Sequence, residues 1–325
     1  MKDKVLELLS ETEYVSGEDI SRKLGISRAA VWKNINSLKS EGYIIESSTN
    51  RGYRIINRPD ILTYEEILPF LSTAYIGRKV LHFESLDSTN TRAKEIGSGS
   101  FAEGTVIVSE EQLSGRGRLG RSWSSPKGAG IWMSLLLKPE TPPTEAYKVT
   151  IIAAAAVHKA LSEEGVASLI KWPNDIVLNG RKICGILTEM SAEFSRINYL
   201  VMGIGINVNT TLEEFPEEIK NKASSLRAQT GRSFNRKSVM SRILNNLEIF
   251  YDLFLQQGTI EPCIKICREN SAVIGRQVLL IEGSKSNPVE VLDINDKGHL
   301  LIKDGSSIRE ILSGEISLRA MDGYI

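Results

Sequence analysis

A chain of 325 residues is longer than one domain usually runs, and 41% hydrophobic with 25% charged residues describes an ordinary globular protein, not a disordered or fibrous one. Net formal charge is zero, so no global field draws the chain to nucleic acid or a membrane surface. Three cysteines without framework spacing (Cys184, Cys263, Cys267) exclude a disulfide scaffold and read as small buried hydrophobes; with His82, His158 and His299 scattered, they make no metal site.

The charge average hides local structure. Between positions 20 and 40 stand Arg22, Lys23, Arg28, Lys33 and Lys39 without an acid, and between 112 and 127 stand Arg116, Arg118, Arg121 and Lys127, again without one. Each stretch attracts anions. The opening MKDKVLELLSETE reads as a charged amphipathic helix, not a signal peptide, and no apolar run reaches the roughly 18 residues of a membrane span. A cytoplasmic protein is expected.

Residues 1–60 read as a winged helix-turn-helix. After VLELLS, the segment SGEDISRKLG opens on the N-cap Ser16 and stops at Gly25. ISRAAVWKNINSLKSEG comes next, with Ser27 as N-cap and Ala30, Val31, Ile35 and Leu38 at helical spacing. GYIIES and GYRII, joined by STNR, form the wing. In this plan the second helix enters the major groove, and Ser27, Arg28, Lys33 and Asn34 are its candidate DNA contacts. Trp32, next to Val31, is expected in the core. A protein-docking module is the alternative for this region. Asn57-Arg-Pro-Asp60 reads as a linker.

Residues 61–270 mix helices and strands. DSTNTRAKEIG starts a helix on Asp87 or Ser88, and EAYKVTIIAAAAVHKALSEEG is a long Ala-rich helix. Strands come after it in SLIKW, DIVL, RKICGILTEM and INYLVMGIGINVN, with Asn179-Gly180 a strong hairpin signal. Successive hairpins imply an antiparallel or mixed sheet. SVMSRILNNLEIFYDLFLQQG and EPCIKICREN close the region as helices. Residues 271–325 then carry about five short strands parted by Gly, Asn and Asp, expected as a small barrel.

Residues 115–120, GRGRLG, satisfy the dinucleotide fingerprint G-x-G-x-x-G literally. A strand precedes them (TVIVS), but on their C-terminal side stand RSWSSPKGAG and another apolar run, IWMSLLL, with no helix to receive a pyrophosphate. The dinucleotide reading is rejected. The loop instead holds two arginines where the backbone can approach a ligand closely, and paired guanidinium forks suit carboxylates and phosphates. Gln112, Arg121, Lys171, Asn174, Asp175, Lys182, Asn207 and Asn209 gather around the same strand ends.

GRGRLGRSWSSP, KWPNDI, GRKICGIL and GIGINVN, in that order with DSTN upstream, closely resemble the bacterial biotin–protein ligases, and the leading helix-turn-helix resembles the bifunctional kind that also represses biotin operons. The resemblance spans the whole chain. It implies an α+β multidomain protein: an N-terminal winged helix, a central mixed α/β ligase domain and a C-terminal SH3-like barrel. It also implies an ATP- and Mg²⁺-dependent enzyme that forms biotinyl-5′-AMP and passes biotin to a lysine of a biotin carboxyl carrier protein. By the family pattern, Ser88, Thr89, Gln112, Gly115, Arg116, Gly117, Arg118 and Lys182 face biotin. Arg118, Arg121, Trp123, Lys171, Asn174, Lys182 and Asn207 face the nucleotide, and Lys182, Arg118 and Arg116 carry the catalysis. Asp175 is a candidate base for the transfer step, or serves turn geometry alone. The Mg²⁺ ligands are unassigned. The stretch after GINVN lacks the tryptophan with which some relatives stack adenine; Phe215 either replaces it or packs. A homodimer on operator DNA, with the adenylate as corepressor, completes the expectation. The alternatives are a biotin-sensing repressor without turnover and a lipoate-type ligase, the latter at odds with the arginine loop.

Overall fold

The structure, a computed structural model, describes residues 1–314, 316–320 and 324–325. The chain divides into two compact units, residues 1–61 and 62–325.

The first unit holds α1 (Lys2–Leu8), α2 (Gly17–Leu24), α3 (Arg28–Ser40) and an antiparallel pair, β1 (Ile44–Ser48) and β2 (Gly52–Asn57). Ser16 Oγ accepts from Asp19 N at 3.0 Å and starts α2; Gly25 ends it at φ 65°, a left-handed position that suits glycine. Ser27 Oγ likewise accepts from Ala30 N at 3.2 Å. Val5, Leu6, Ile20, Val31, Ile35, Leu38, Ile45 and Ile55 form the core. Trp32 does not join them. At 61% exposure it stands on the surface, because one residue along a helix turns about 100° and adjacency to Val31 moves the indole off the packing face.

The second unit is built on a seven-stranded mixed sheet. Its elements are α4 (Tyr64–Ile67), β3 (Val80–Phe83), α5 (Thr89–Gly97), β4 (Thr105–Ser109), β5 (Gly130–Leu137), α6 (Tyr147–Glu163), β6 (Leu169–Lys171), β7 (Asp175–Leu178), β8 (Arg181–Ala192), β9 (Ile197–Asn207), α7 (Leu226–Thr230), α8 (Arg236–Gln257) and α9 (Glu261–Glu269). Strand order is β3-β4-β5-β9-β8-β7-β6, with only β3 and β4 parallel. Asn179 and Gly180, at φ 49° and 75°, make the two-residue turn between β7 and β8.

The two faces of this sheet differ by strand periodicity. Val106, Val108, Ile131, Met133, Leu135, Leu200, Met202, Ile204 and Ile206 point to the main core with α6 and α8. The alternate residues Ile107, Leu136 and Val201 pack with Ala93 of α5 on the other face. Helix α6 is buried nearly all round, and its run Ala153–Ala156 is wholly buried. Glu110 anchors the interior: it accepts from Leu62 N at 3.0 Å and Arg236 Nη1 at 2.9 Å, and lies 2.9 Å from His82 Nε2.

β10 (Gln277–Glu282), β11 (Lys285–Ile294), β12 (Leu300–Asp304), β13 (Ser307–Ile311) and β14 (Ile316–Ala320) form an antiparallel sheet, ordered β13-β12-β11-β10-β14. Among the described residues β13 and β14 are its edges, and of the expected barrel these residues show an antiparallel sheet. Its Val278, Leu280, Val291 and Ile302 belong to the same core cluster as α6 and α9. Two further ties are Trp172 Nε1 donating to Gly298 O at 2.9 Å and Tyr147 OH donating to Lys297 O at 3.0 Å.

Candidate functional site

On the α5 face of the large sheet lies a cavity of about 510 Å³. Its floor comes from a strand pattern: Val201, Gly203, Gly205 and Asn207 of β9 share that face at period two, and the glycines let the Asn90 and Trp123 side chains lie directly against the backbone. A Cβ on Gly203 would stand 2.1 Å from Asn90 Oδ1, and one on Gly205 2.6 Å from Trp123 Nε1. Trp123 lies over Gly205 and Gly185, edge-on to Trp132 (centroids 6.5 Å apart, 70° between planes). Its buried indole N–H has no hydrogen-bond partner among the described residues.

One end of the cavity is neutral and tightly bonded. Ser88 caps α5, accepting from Thr91 N at 3.5 Å. Gln112 Oε1 accepts from Thr89 N at 2.8 Å and Thr89 Oγ1 at 3.1 Å, while Gln112 Nε2 donates to Ser125 Oγ at 2.8 Å. Ser134 Oγ donates to Asn90 Oδ1 at 2.6 Å and lies 2.8 Å from Thr89 Oγ1, the two oxygens competing for its single proton. Asn90 Nδ2 in turn donates to Glu189 Oε2 at 2.8 Å. Such a network holds each dipole in one orientation.

The arginine loop forms the near wall. It is an irregular hairpin with a single 3₁₀ turn (Arg118–Gly120) and no α-helix, and it closes on itself through Gly117 N to Arg121 O at 2.7 Å and Trp123 N to Gly115 O at 2.8 Å. The glycine at 115 is a steric necessity: its Cβ would lie 2.4 Å from Trp123 O. Gly115 is buried beneath the loop; Arg116, Gly117, Arg118 and Arg121 line the cavity. Arg118 Nη1 donates to Asn174 Oδ1 at 2.8 Å, and Nη2 donates to the carbonyls of Gly314 and Ile316 (3.2 Å to the latter). Burial holds its guanidinium below the ordinary value.

The other end is cationic. Lys182 Nζ sits 2.5 Å from Asp175 Oδ1 and 5.4 Å from the Trp123 ring centroid. Burial pushes Asp175 up, but the Lys182 ammonium and the donated hydrogen bond of Tyr324 OH outweigh it and hold the carboxyl below its usual range. Lys171 Nζ lies 3.6 Å from the Tyr324 ring centroid and donates to Tyr324 O at 3.2 Å; burial pushes its pKa down to about 8, against the pull of Asp175. Asn174 Nδ2 donates to Ile186 O, and Asn207 Nδ2 to Ser224 O, both at 2.9 Å. Phe215, 4% exposed, lines this end. Ile316, Leu318, Arg319 and Tyr324 complete the roof.

The cavity thus brings together Ser88, Thr89, Gln112, Arg116, Gly117, Arg118, Arg121, Trp123, Lys171, Asn174, Lys182 and Asn207. Asn209 stays outside, exchanging hydrogen bonds with the Phe234 backbone at 2.9 Å. Three residues join the site unexpected: Asn90, which stands in DSTN; Ser134, visible in sequence only as a polar residue inside the apolar run IWMSLLL; and Tyr324, which has no local signal. Among the described residues no cluster of three or more His, Cys, Asp or Glu could hold a metal ion, and Asp175 is the one carboxylate among the described lining residues. In the first unit, Arg28 and Lys33 are exposed on α3; Ser27 Oγ is spent on its cap and Asn34 Nδ2 donates to Ala30 O at 2.7 Å, so these two point less to an outside partner than expected.

The mixed sheet, with its glycine floor closed by an arginine hairpin and a lysine–aspartate pair, lies in the part of the chain that matches a protein ligase family of the biotin/lipoate class. The model of the biotin/lipoate A/B protein ligase family matches residues 82–207, that of a helix-turn-helix domain residues 2–54, and that of the biotin protein ligase C-terminal domain residues 273–319. The chain is 39% identical to the bifunctional ligase/repressor BirA of Bacillus subtilis (strain 168), over 98% of each chain, and 30% identical to that of Escherichia coli (strain K12), over 98% of this chain and 97% of the relative. The solved biotin protein ligase from Aquifex aeolicus in complex with biotin and ATP is 32% identical and superposes with a TM-score of 0.66, covering 75% of this chain and 99% of that one. This chain belongs to the family of bifunctional biotin–protein ligase/repressors.

Proposed function

We propose that this protein activates biotin with ATP and transfers it to a lysine of a biotin carboxyl carrier protein. The carrying observation is the pairing, in one cavity, of a rigid neutral end with a cationic end, where Arg116, Arg118, Arg121, the half-buried Lys182 and the buried Lys171 converge. The neutral end suits a ureido ring: Thr89, Gln112 and Ser88 offer fixed donors and acceptors. The valeryl chain then runs along Trp123, whose indole covers the Gly205 floor, placing the carboxylate by Lys182. Two anions, this carboxylate and the ATP α-phosphate, must be brought together. Lys182, Arg116, Arg118 and Arg121 offset that repulsion, and their hold strengthens as charge gathers on the pentavalent phosphorus.

The carboxylate oxygen bonds to the α-phosphorus, pyrophosphate leaves, and biotinyl-5′-AMP remains under the arginine hairpin, which excludes water. Lys171, Asn174 and Asn207 hold the nucleotide, and Phe215 offers a ring for the adenine. Mg²⁺ fits as an ion carried mostly on the ATP phosphates, where it would neutralise the departing pyrophosphate, since Asp175 is the single nearby carboxylate and is already paired. In the transfer step the neutral amine of the carrier lysine attacks the acyl carbon, AMP leaves, and the amine loses a proton. Asp175, fixed by Lys182 and Tyr324, serves better to orient than to take that proton, because its carboxyl is held in its weakly basic form.

In the regulatory half of the proposal, a homodimer of adenylate-bound chains sets two α3 helices on a two-fold operator in the cytoplasm. The first experiment is mass spectrometry of the protein with biotin, MgATP and a biotin carboxyl carrier domain. An ATP-dependent mass gain of one biotin on the carrier is expected; bound biotin with neither adenylate nor modified carrier would favour a sensing repressor without turnover.

A further inference from the structure

The exposed tryptophan of the first unit serves neither the core nor any cap. Trp32, the fifth of the thirteen residues of α3, is 61% exposed. At 100° per residue, Arg28, Trp32 and Lys39 share one flank of the helix, and Lys39 Nζ donates to Ser47 Oγ of β1 at 3.2 Å, so this is the flank that faces the wing. Lys33 stands one residue further round, and Arg51 tops the wing turn, both exposed. The acid nearest in sequence, Glu41, is turned away into an ion pair with Lys2 at 2.7 Å. The acid of the wing strand, Glu46, is paired with Arg54 at 2.8 Å; a surface left cationic in this way selects a polyanion, and the exposed indole beside these cations suits one that also presents an apolar spot. Duplex DNA meets both demands in one place, the major groove, where the C5 methyl of thymine projects between the phosphate walls.

We propose that Trp32 is a sequence-reading residue that covers a thymine methyl in the major groove, while Arg28 and Lys33 hold the backbone. The proposal rests on the reading of this unit as a DNA-binding winged helix. Its position supports the role: the N-terminal half of a recognition helix is the part that reaches base edges. A side chain this exposed contributes little to the core, so its removal leaves the fold intact.

The test begins with the full-length protein, biotin, MgATP and a randomised duplex library, from which an enriched sequence is taken. Affinities are then measured for that duplex and for copies in which uracil replaces thymine one position at a time. The parent is expected to lose about fourfold at one or more positions, the worth of a methyl group. Trp32→Ala should bind the thymine duplex about tenfold more weakly, show no further loss at those positions, and keep the parent's salt dependence and unfolding temperature. Arg28→Ala/Lys33→Ala should do the reverse, flattening the salt dependence while keeping thymine discrimination. Undiminished discrimination in Trp32→Ala, or a flattened salt slope, would overturn the proposal. Should the parent enrich no sequence at all, the DNA-binding reading itself fails, and this inference with it.

Discussion

Replacing Lys182 by alanine tests the electrostatic design of the site, because it strips a largely buried carboxylate of its partner. The two side chains are 22% and 13% exposed and 2.5 Å apart. At an effective dielectric near 20, that separation is roughly 7 kcal/mol of attraction, most of it offset by desolvation. Breaking such a pair from one side costs about 3–5 kcal/mol, and with Lys171 and Tyr324 still near Asp175 we expect about 3 kcal/mol.

The pH dependence sharpens the test. In the parent, Asp175 is held below its ordinary pKa, so its contribution is present above the unfolded value near 3.9 and lost as pH falls through the folded one. In Lys182→Ala burial is no longer outweighed, and the folded pKa rises above the unfolded value. The folded state then holds a proton that the unfolded state lacks, and stability falls as pH rises between those two values. Urea unfolding at about pH 5 and about pH 7.5 should therefore show a smaller loss at the lower pH. Asp175→Asn/Lys182→Ala should regain most of the stability at the higher pH yet form no adenylate. A double variant no more stable than the single, or an equal loss at both pH values, would refute the reasoning.

Neighbouring contacts carry further expected outcomes. Arg118→Gly removes the donors to Asn174, Gly314 and Ile316; adenylate should still form but escape about tenfold to a hundredfold faster, as release of labelled adenylate from a loaded protein would report. Gly115→Ala forces a Cβ to 2.4 Å from Trp123 O and should lower biotin-dependent pyrophosphate exchange at least about tenfold, whereas Gly117→Ala, whose Cβ meets nothing nearer than 3.5 Å, should stay within about twofold. Lys171, with its pKa near 8, loses charge as pH rises through that value. Affinity for a non-hydrolysable ATP analogue should fall there, by up to about tenfold per pH unit, and stay flat in Lys171→Arg. Because the unfolded lysine holds its proton to about pH 10.4, stability should rise with pH between the two values.

What was legible in the sequence was what short-range chemistry encodes. Ser16, Ser27 and Ser88 announce three helix starts by their own hydrogen bonds, and Asn179-Gly180 announces its hairpin because few other pairs tolerate two positive φ angles. The motif run GRGRLG, KWPND, GRKICG and GIGINVN located the cavity wall and floor, since glycine spacing records where a ligand or an indole lies against the backbone. Less was legible where partners are distant. Tyr324 reaches Asp175 across 149 positions, and nothing in a terminal tyrosine reveals it. β3, α4 and α7 are too short for periodicity to register. Trp32 was misplaced by reading a neighbour in sequence as a neighbour in space.

The separation between floor and roof bears on synthesis as well as on catalysis. Arg118 meets the Gly314 carbonyl across 196 positions, and Lys171 meets Tyr324 across 153. At ribosomal speeds of roughly 5–20 residues per second, the strands of the floor emerge many seconds before the segment that covers them. The large sheet therefore has time to fold while its cavity is still unroofed, with Asp175 lacking the Tyr324 hydroxyl and Arg118 lacking its carbonyl acceptors. On the proposed function, a nascent chain in that state lacks the frame that would hold a mixed anhydride, so competence to keep the adenylate is expected only after the last strand and Tyr324 have docked.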